Sequence, residues 1–394
     1  MAEGLRASQP GIVSGGARIG GLLAAMLLAG CATVVPHGPK PVARPEPPRP
    51  APQAGRLPEE MRDRVAVLVP MTGPNAAVGQ SIANAANMAL IDSGGTGVRL
   101  TMYDTATGAA QAAHRAVEEG NKLILGPLLS EDVRQVAPVA AAAHVPVLSF
   151  SNDIDVAGRG VYLLGFMPQQ SIERVVDYAH SRGLNRVAAL VPNGLYGRRA
   201  SNALLKVAGR AHVTVVSMQG YDRSPASLGS AIAKLGDPRG YDALLIADSG
   251  RIALVAAPLV RKSGSGARLL GTELWNTEPQ ILAAKVMGGS WFASVSDGLY
   301  SQFSAKYRAR FGRSPFRLST LGYDSVLLAV RISADWRPGT PFPENRLTDS
   351  GGFAGVDGAF RFGPDGIADR MLEVKQVGTG AVSVVSPAPQ GFGG

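Results

Sequence analysis

The chain has 394 residues, with 39 Lys and Arg against 30 Asp and Glu, and a formal net charge of +9. Its single cysteine excludes disulfide frameworks and cysteine-based zinc or iron–sulfur sites. Aromatic residues are only 6% of the chain and the basic residues are scattered. Neither a base-stacking platform nor a cationic stripe is visible, so no nucleic-acid partner is expected.

Residues 1–30 carry Arg6 and Arg18, then an apolar stretch from Ile19 to Leu28. That stretch is too short for a spanning helix, which needs roughly 20 residues, but it suits the core of a secretion signal. Leu28-Ala29-Gly30-Cys31 resembles the lipobox of bacterial lipoproteins. The resemblance implies cleavage before Cys31 and a lipid on its thiol, anchoring the chain to a membrane. The alternative is an ordinary signal peptide with an incidental cysteine. Ala32 stands where an aspartate would signal inner-membrane retention, so the same resemblance implies the periplasmic side of an outer membrane. Residues 31–61 are rich in proline, from Pro36 to Pro58, and read as an extended tether. At roughly 3.1 Å per residue such a tether reaches on the order of 75 Å. Its basic residues, Lys40, Arg44, Arg49 and Arg56, suit either solubility or weak attraction to anionic lipid or cell-wall polymer.

Strands then alternate with helices. Val65–Val69 is a continuous apolar run bounded by Pro70, as expected of a strand buried on both faces. Thr72-Gly73-Pro74-Asn75 supplies a turn, and an Ala-rich helix follows to about Ile91. Further strands are expected at Val98–Tyr103, Lys122–Leu125, Val145–Phe150 and Val161–Leu164, with helices at Ala109–Glu119 and Glu131–Ala143. From Gln169 the pattern restarts. Strands Arg186–Val191, His212–Ser217, Tyr241–Ala247 and Arg268–Leu270 alternate with helices Gln169–Ser181, Gly197–Gly209, Ala226–Leu235 and Arg251–Lys262. Such alternation builds right-handed crossovers and parallel sheets. The fold class is therefore α/β, with two doubly wound parallel-sheet lobes in tandem. Ser296–Phe311 and Ser319–Trp336 read as two more helices, with Gly358–Phe362 and Met371–Val377 as closing strands.

From about Arg64 to Val377 the chain resembles the type I periplasmic binding proteins of the leucine/isoleucine/valine receptor family. The resemblance rests on Pro70-Met71-Thr72-Gly73-Pro74 with Gly79, Asp104, Gly126-Pro127, Pro146-Val147-Leu148-Ser149, Tyr196-Gly197 and Gly271-Thr272-Glu273. It continues in the tail Phe353-Ala354-Gly355-Val356-Asp357-Gly358 and Phe360-Arg361-Phe362-Gly363-Pro364-Asp365-Gly366. Within that family the chain looks most like the lipid-anchored branch called penicillin-binding protein activators, through the lipobox, the proline-rich lead, Leu125-Gly126-Pro127-Leu128 and Val161-Tyr162-Leu163-Leu164-Gly165-Phe166. The resemblance implies lobe 1 from residues 62–166 plus 297–336, lobe 2 from 167–296 plus 337–386, a three-segment hinge, and a tail at 387–394.

Ligands of open parallel sheets sit beyond the carboxyl ends of the strands. The cleft inventory is then Thr72, Asn75, Ser130, Ser149, Ser151 and Asn152 facing Tyr196, Asp248, Glu273 and Trp275. By resemblance, Ser130 and Ser149–Ser151 match hydroxyls that bind a ligand carboxylate, Tyr196 packs on the ligand, and Glu273 takes its ammonium. Each has a plainer alternative. Tyr196 can cover the sheet end, Ser149 and Ser151 can cap backbone groups, Glu273 can be a solvated loop acid, and Asp248 can cap the helix near Arg251. Asp104 reads as a structural cap, and Trp275 as either a lid or a hinge packing residue. Glu131 and Asp132 directly follow Ser130, which opposes an anion there and predicts a ligand neutral or cationic on that side.

No Gly-rich phosphate loop and no Gly-x-Ser-x-Gly elbow is present, and the five histidines lack metal-ligand spacing, so neither an enzyme nor a cofactor is expected. Two functions follow from the resemblance. One is a solute receptor holding a small polar ligand, such as an amino acid or peptide, for a membrane permease. The other is a tethered regulator whose partner is a penicillin-binding protein.

Overall fold

The computed structural model describes residues 61–94, 97–389 and 391–392; the expected signal segment, Cys31 and nearly all of the tether lie outside them. The first lobe opens with β1 (Asp63–Val69), α1 (Ala76–Asp92), β2 (Val98–Asp104), α2 (Ala109–Glu118), β3 (Leu123–Leu125), α3 (Ser130–Ala142), β4 (Val147–Ser149) and β5 (Val161–Leu163). Its five strands run parallel in the order β2-β1-β3-β4-β5. Strand β1 shows why the run Val65–Val69 carries no polar residue. Val65, Val67 and Val69 feed one core with α1, while Ala66 and Leu68 feed another with α2 and α3.

The second lobe repeats the device with α4 (Pro168–Ser181), β6 (Arg186–Pro192), α5 (Leu195–Ala211), β7 (Thr214–Tyr221), α6 (Pro225–Ala233), β8 (Ala243–Ile246), α7 (Gly250–Lys262), β9 (Arg268–Gly271), α8 (Gln280–Ala283) and β10 (Trp291–Ser294). Val187, Ala189 and Val191 pack toward α4 and α5, and Ala188 and Leu190 toward α6 and α7. The chain then returns to the first lobe as α9 (Tyr300–Phe311) and α10 (Ser319–Ser333). Leu321, Val326, Leu328, Ala329 and Ile332 of α10 join the core that holds Val65 and α1.

The closing strands depart from expectation. β11 (Phe353–Gly355), β12 (Gly358–Phe362) and β13 (Ala368–Arg370) form their own antiparallel sheet. Phe353, Phe360, Phe362 and Ala368, with Trp336, Phe342 and Leu347, are buried in the first-lobe core. The segment expected to cross back at 337 therefore stays with the first lobe, because its aromatic side chains complete that core. Only β14 (Glu373–Val377) and β15 (Val382–Ser386) belong to the second sheet, ordered β15-β14-β10-β9-β8-β6-β7. Strand β10, which no sequence signal marked, is the interior strand that joins β9 to β14.

Three short segments, near Leu164, Val295 and Met371, therefore connect the lobes, and buried charges tie them together. Arg370 donates from Nη2 to the Leu164 carbonyl at 2.5 Å. Arg317 meets Asp297 at 3.2 Å and Asp357 at 2.7 Å, and Lys375 meets Asp297 at 2.5 Å. Burial, reinforced by the neighbouring Asp357, pushes the Asp324 carboxyl upward, while Val356 N–H donates to it at 2.8 Å.

Candidate functional site

A cleft of ≈ 850 Å³ opens between the facing rims of the two lobes. The first lobe contributes the ends of β1, β3 and β4 through Asn75, Val78, Leu128, Leu129, Phe150 and Asn152. The second contributes the loop after β9, with Glu273, Leu274, Asn276 and Thr277, and the hinge adds Phe166, Val295, Asp297, Tyr300, Phe316 and Arg317. The rims meet here because the strands that feed helices run parallel in each sheet, so the βα loops of a lobe leave from one edge.

Of the ten ligand residues expected from sequence, the cleft walls contain Asn75, Asn152 and Glu273. Glu273 sits at the start of a short 3₁₀ turn, Glu273–Thr277. Its Oε1 accepts from the Tyr196 hydroxyl at 3.1 Å, and its Oε2 accepts a short bond from the Ser171 hydroxyl. Burial raises the Glu273 carboxyl above its ordinary range, against the opposing effect of those hydroxyls. Tyr196 turns its ring into the second-lobe core rather than into the cleft. Its hydroxyl also pairs with that of Thr272 at 3.0 Å, which fixes it for Glu273.

The serines of the first rim face inward. Ser149 is fully buried; its hydroxyl donates to the Pro127 carbonyl at 2.9 Å and accepts from the Ser151 N–H at 3.0 Å. The Ser151 hydroxyl accepts from the Asp153 N–H at 3.1 Å. They hold the loop after β4 in shape, which is the capping alternative for such residues. Ser130 accepts from Arg134 at 3.3 Å and belongs to a cluster around Asp153. Thr72 donates to Asp104 at 2.6 Å, and Asp104 also accepts from the Met71 and Ala106 N–H groups. Thr72 thus braces the β1–α1 loop beside a smaller pocket of ≈ 360 Å³.

Two expectations are corrected. Trp275 is no lid: it is 2% exposed, packs 6.2 Å from Phe292 between ring centroids, and donates to the Asp248 carbonyl. A Cβ on Gly271 would stand 2.1 Å from its ring, so that glycine makes room for the indole. Asp248 is buried behind the rim, accepting from the Tyr221 hydroxyl at 2.8 Å and from Arg223 at 2.9 Å. The cap of α7 is Ser249, whose hydroxyl accepts from Ile252 N–H.

One contact that the sequence did not announce joins the lobes across the cleft. Arg199 of α5 pairs with Asp153 of the first lobe, reaches Asp155 at 3.3 Å, and donates to the Asn152 carbonyl at 3.3 Å. Arg134 meets the other oxygen of Asp153 at 2.8 Å. Burial alone would raise the Asp153 carboxyl; the Asp155 N–H and the two guanidiniums hold it below the usual range instead. The Arg199–Asp153 pair bridges the two lobes beside the cleft. Among the described residues no group of three His, Cys, Asp or Glu is placed to hold a metal.

Comparisons with known proteins agree with this architecture. A family model described as periplasmic binding protein matches residues 64–380. A leucine binding protein from Thermotoga maritima superposes with a TM-score of 0.62 at 21% identity, over 83% of this chain and 98% of its own. A branched-chain amino acid transporter substrate binding protein from Streptococcus pneumoniae, solved with isoleucine, gives 0.61 at 17% identity, over 83% and 100%. A transporter solute binding protein from Rhodopseudomonas palustris, solved with 3,4-dihydroxybenzoic acid, gives 0.64 at 18% identity, over 84% and 97%. At these identities the likeness is one of fold. Among curated sequences, an uncharacterized protein of Rickettsia prowazekii is 24% identical over 179 residues, 45% of this chain. The chain spans about half the length of that relative, 48%.

Proposed function

The chain belongs to the periplasmic binding protein family, a periplasmic and non-catalytic one, and from that premise we propose that it is a receptor holding a small ligand between its lobes for a membrane permease. The observation that supports this most directly is the ≈ 850 Å³ cleft bounded by both rims and by the hinge. The Arg199–Asp153 pair adds a contact that spans the two lobes on one side of it. Closure by hinge bending is the motion such a design uses. The solved structures that resemble it carry isoleucine or a dihydroxybenzoate, which makes amino acids, peptides and aromatic acids the panel to try. Calorimetric titration of the mature chain against that panel tests the reading. A saturable heat with any member supports it, and flat traces throughout overturn it.

The anchor is a separate part of the proposal: Cys31 carries the lipid, and Ala32 directs the chain to the outer membrane, a placement that favours the regulator reading below because an inner-membrane permease would lie far away. Mass spectrometry of the mature N-terminus checks the first, and membrane fractionation the second.

A second reading, regulation of a penicillin-binding protein, draws on two observations. Glu131 and Asp132 occupy the first turn of α3, and the Ser149 and Ser151 hydroxyls are engaged within their own loop, which speaks against an amino-acid carboxylate at that rim. Pull-down from solubilised membranes separates the two readings: permease subunits support the receptor, and a penicillin-binding protein supports the regulator.

A further inference from the structure

We propose that the second lobe carries a site for a phosphate monoester in a pocket between Arg261 and Arg268, at the far end of its strands from the cleft. The pocket measures ≈ 270 Å³ and is walled by Asp242, Arg261, Arg268 and the turns at Gly266 and Gly288-Gly289. Arg268 is the first residue of β9, whose last residue, Gly271, leads to Glu273 in the cleft. Arg261 stands in the last turn of α7. Among the described residues neither guanidinium meets a carboxylate. Arg261 donates to the Ser265 and Ala267 carbonyls at 3.0 and 2.8 Å. Arg268 donates to the Gly289 carbonyl and lies 4.6 Å from the centroid of the Trp291 ring. The other N–H groups of both side chains have no partner among the described residues and are open to solvent. Burial, and after it the Arg268 charge, holds the Arg261 guanidinium below its ordinary range. Asp242, the acid in the wall, is already answered. Arg186 donates to its Oδ1 at 2.8 Å, and the Asn185 and Arg186 N–H groups donate to its Oδ2 at 3.2 and 3.0 Å.

Two neighbouring cations without a counter-charge repel one another, and a dianion between them removes that cost. A phosphate monoester carries about −1.5 to −2 charges at pH 7 and three acceptor oxygens, enough for both guanidinium forks. A lone carboxylate answers only one of them. The carbonyls in the wall do not oppose an anion, because those of Ser265, Ala267 and Gly289 already accept from the two arginines. The surroundings have the same sign. The connections at this end of the lobe add Arg182, Arg239, Lys262 and Lys285 against Asp237. Helix C-termini favour cations in any lobe, yet the equivalent connections of the first lobe carry Asp92, Glu118 and Glu119 beside Lys122. The helix ends alone therefore do not account for the basic pole of the second lobe. The site stands apart from the cleft and does not depend on the receptor reading.

The test titrates glycerol 3-phosphate calorimetrically into the mature chain carrying Cys31→Ser, which keeps it free of lipid. Low ionic strength leaves the attraction least screened. Glycerol 3-phosphate is expected to bind about tenfold more tightly than acetate, or better, and glycerol not at all. A Cβ on Gly266 meets nothing within 4 Å, so Gly266→Asp sets a carboxylate at the pocket wall without removing a contact. That variant is expected to weaken glycerol 3-phosphate by about tenfold or more, and the neutral Gly266→Asn to leave it within about twofold, with thermal melts confirming that both fold. Sedimentation with phosphatidylcholine vesicles, with and without phosphatidic acid, identifies the source of the phosphate. Retention that needs phosphatidic acid and is lost in Gly266→Asp assigns the site to a lipid headgroup; binding of the soluble ester without retention assigns it to a free phosphate ester. Acetate bound as tightly as the ester overturns the inference. So does ester binding or vesicle retention that Gly266→Asp leaves unchanged, and so does silence from the ester and the vesicles together.

Discussion

In each lobe a proline stands at the end of the first strand, Pro70 directly after β1 and Pro192 as the last residue of β6, and the first turn of the following helix holds a glycine pressed against that proline's carbonyl. A Cβ on Gly79 would stand 1.8 Å from the Pro70 oxygen, and one on Gly197 would stand 1.6 Å from the Pro192 oxygen. Up to that point the two lobes are one design. Past it the rims diverge. The first rim directs its hydroxyls and its buried carboxylate Asp153 into its own loop and to Arg134. The second rim leaves Glu273 on the cleft wall, held by the hydroxyls of Ser171 and Tyr196 and by its own backbone N–H. The shared frame thus sets the two rims facing one another, and the rims differ in how many of their polar groups are already satisfied within the protein, which matters because such a group gains little from a ligand.

The strongest way to break this comparison is at Trp275, which the sequence places on the second rim and the structure places beneath it. Trp275→Ala removes an indole packed against Phe292 and Gly271. Loss of such a core ring costs about 3–5 kcal/mol, read as a lower urea midpoint. A variant of unchanged stability with weakened ligand binding would return Trp275 to the role of lid.

Next in size is the shared frame itself. Gly79→Ala and Gly197→Ala force a methyl group against backbone that cannot retreat without moving the strand end. Overpacking of this kind costs typically 1–3 kcal/mol. Similar losses for the two variants, measured by chemical denaturation, would sharpen the equivalence of the lobes. A loss confined to one would show that only one lobe needs the close approach.

These positions also show where sequence reasoning reaches and where it stops. The run Val65–Val69 is legible as a doubly buried strand because both of its faces meet helices, so no polar residue interrupts it. Strand β10 is only Trp291–Ser294, follows Gly288-Gly289, and owes its interior place to neighbours distant in sequence, β9 and β14. Nothing local announces it. The return of β11–β13 to the first lobe is likewise a matter of which core their phenylalanines fill. At the cleft, spacing picks out Asn75, Asn152 and Glu273. It cannot say that the hydroxyls of Ser149 and Ser151 face inward, since a short hydroxyl residue has the same pattern whether it caps its own loop or greets a ligand. The aromatic wall was missed for a related reason: Phe150 and Tyr300 stand at the ends of core elements, and their spacing reads as core.

The contact across the lobes offers a smaller effect. Arg199→Ala leaves Asp153 with Arg134 alone, and loss of this largely buried charge-assisted bond costs about 1.5 kcal/mol, the low end for such bonds because Arg134 remains. The folded-state carboxyl of Asp153 titrates below its unfolded value. The contribution is therefore present above the unfolded value of about 3.9 and lost as pH falls through the lower folded one. The penalty of Arg199→Ala should shrink in acid. Small-angle scattering should also show a larger radius of gyration for the variant near neutral pH, as the lobes part. An unchanged radius and melting temperature would make the pair incidental to closure.

The smallest expected effect tests the comparison most directly. Because the Ser149 and Ser151 hydroxyls serve the loop after β4, Ser151→Ala removes an acceptor for the Asp153 N–H and none for a ligand. Stability should fall by about 0.5–1.5 kcal/mol, the net worth of one such bond, while affinity for any cleft ligand stays within about twofold, below 0.5 kcal/mol. Glu273→Gln should do the reverse, costing affinity and little stability, because its amide keeps the size of the carboxyl and relieves a buried charge. Crossed effects of this kind distinguish a rim that shapes the cleft from a rim that reads the ligand. A Ser151→Ala protein that folds as well as the parent and binds tenfold more weakly would place the reading group on the first lobe, and with it the carboxylate of an ordinary amino acid.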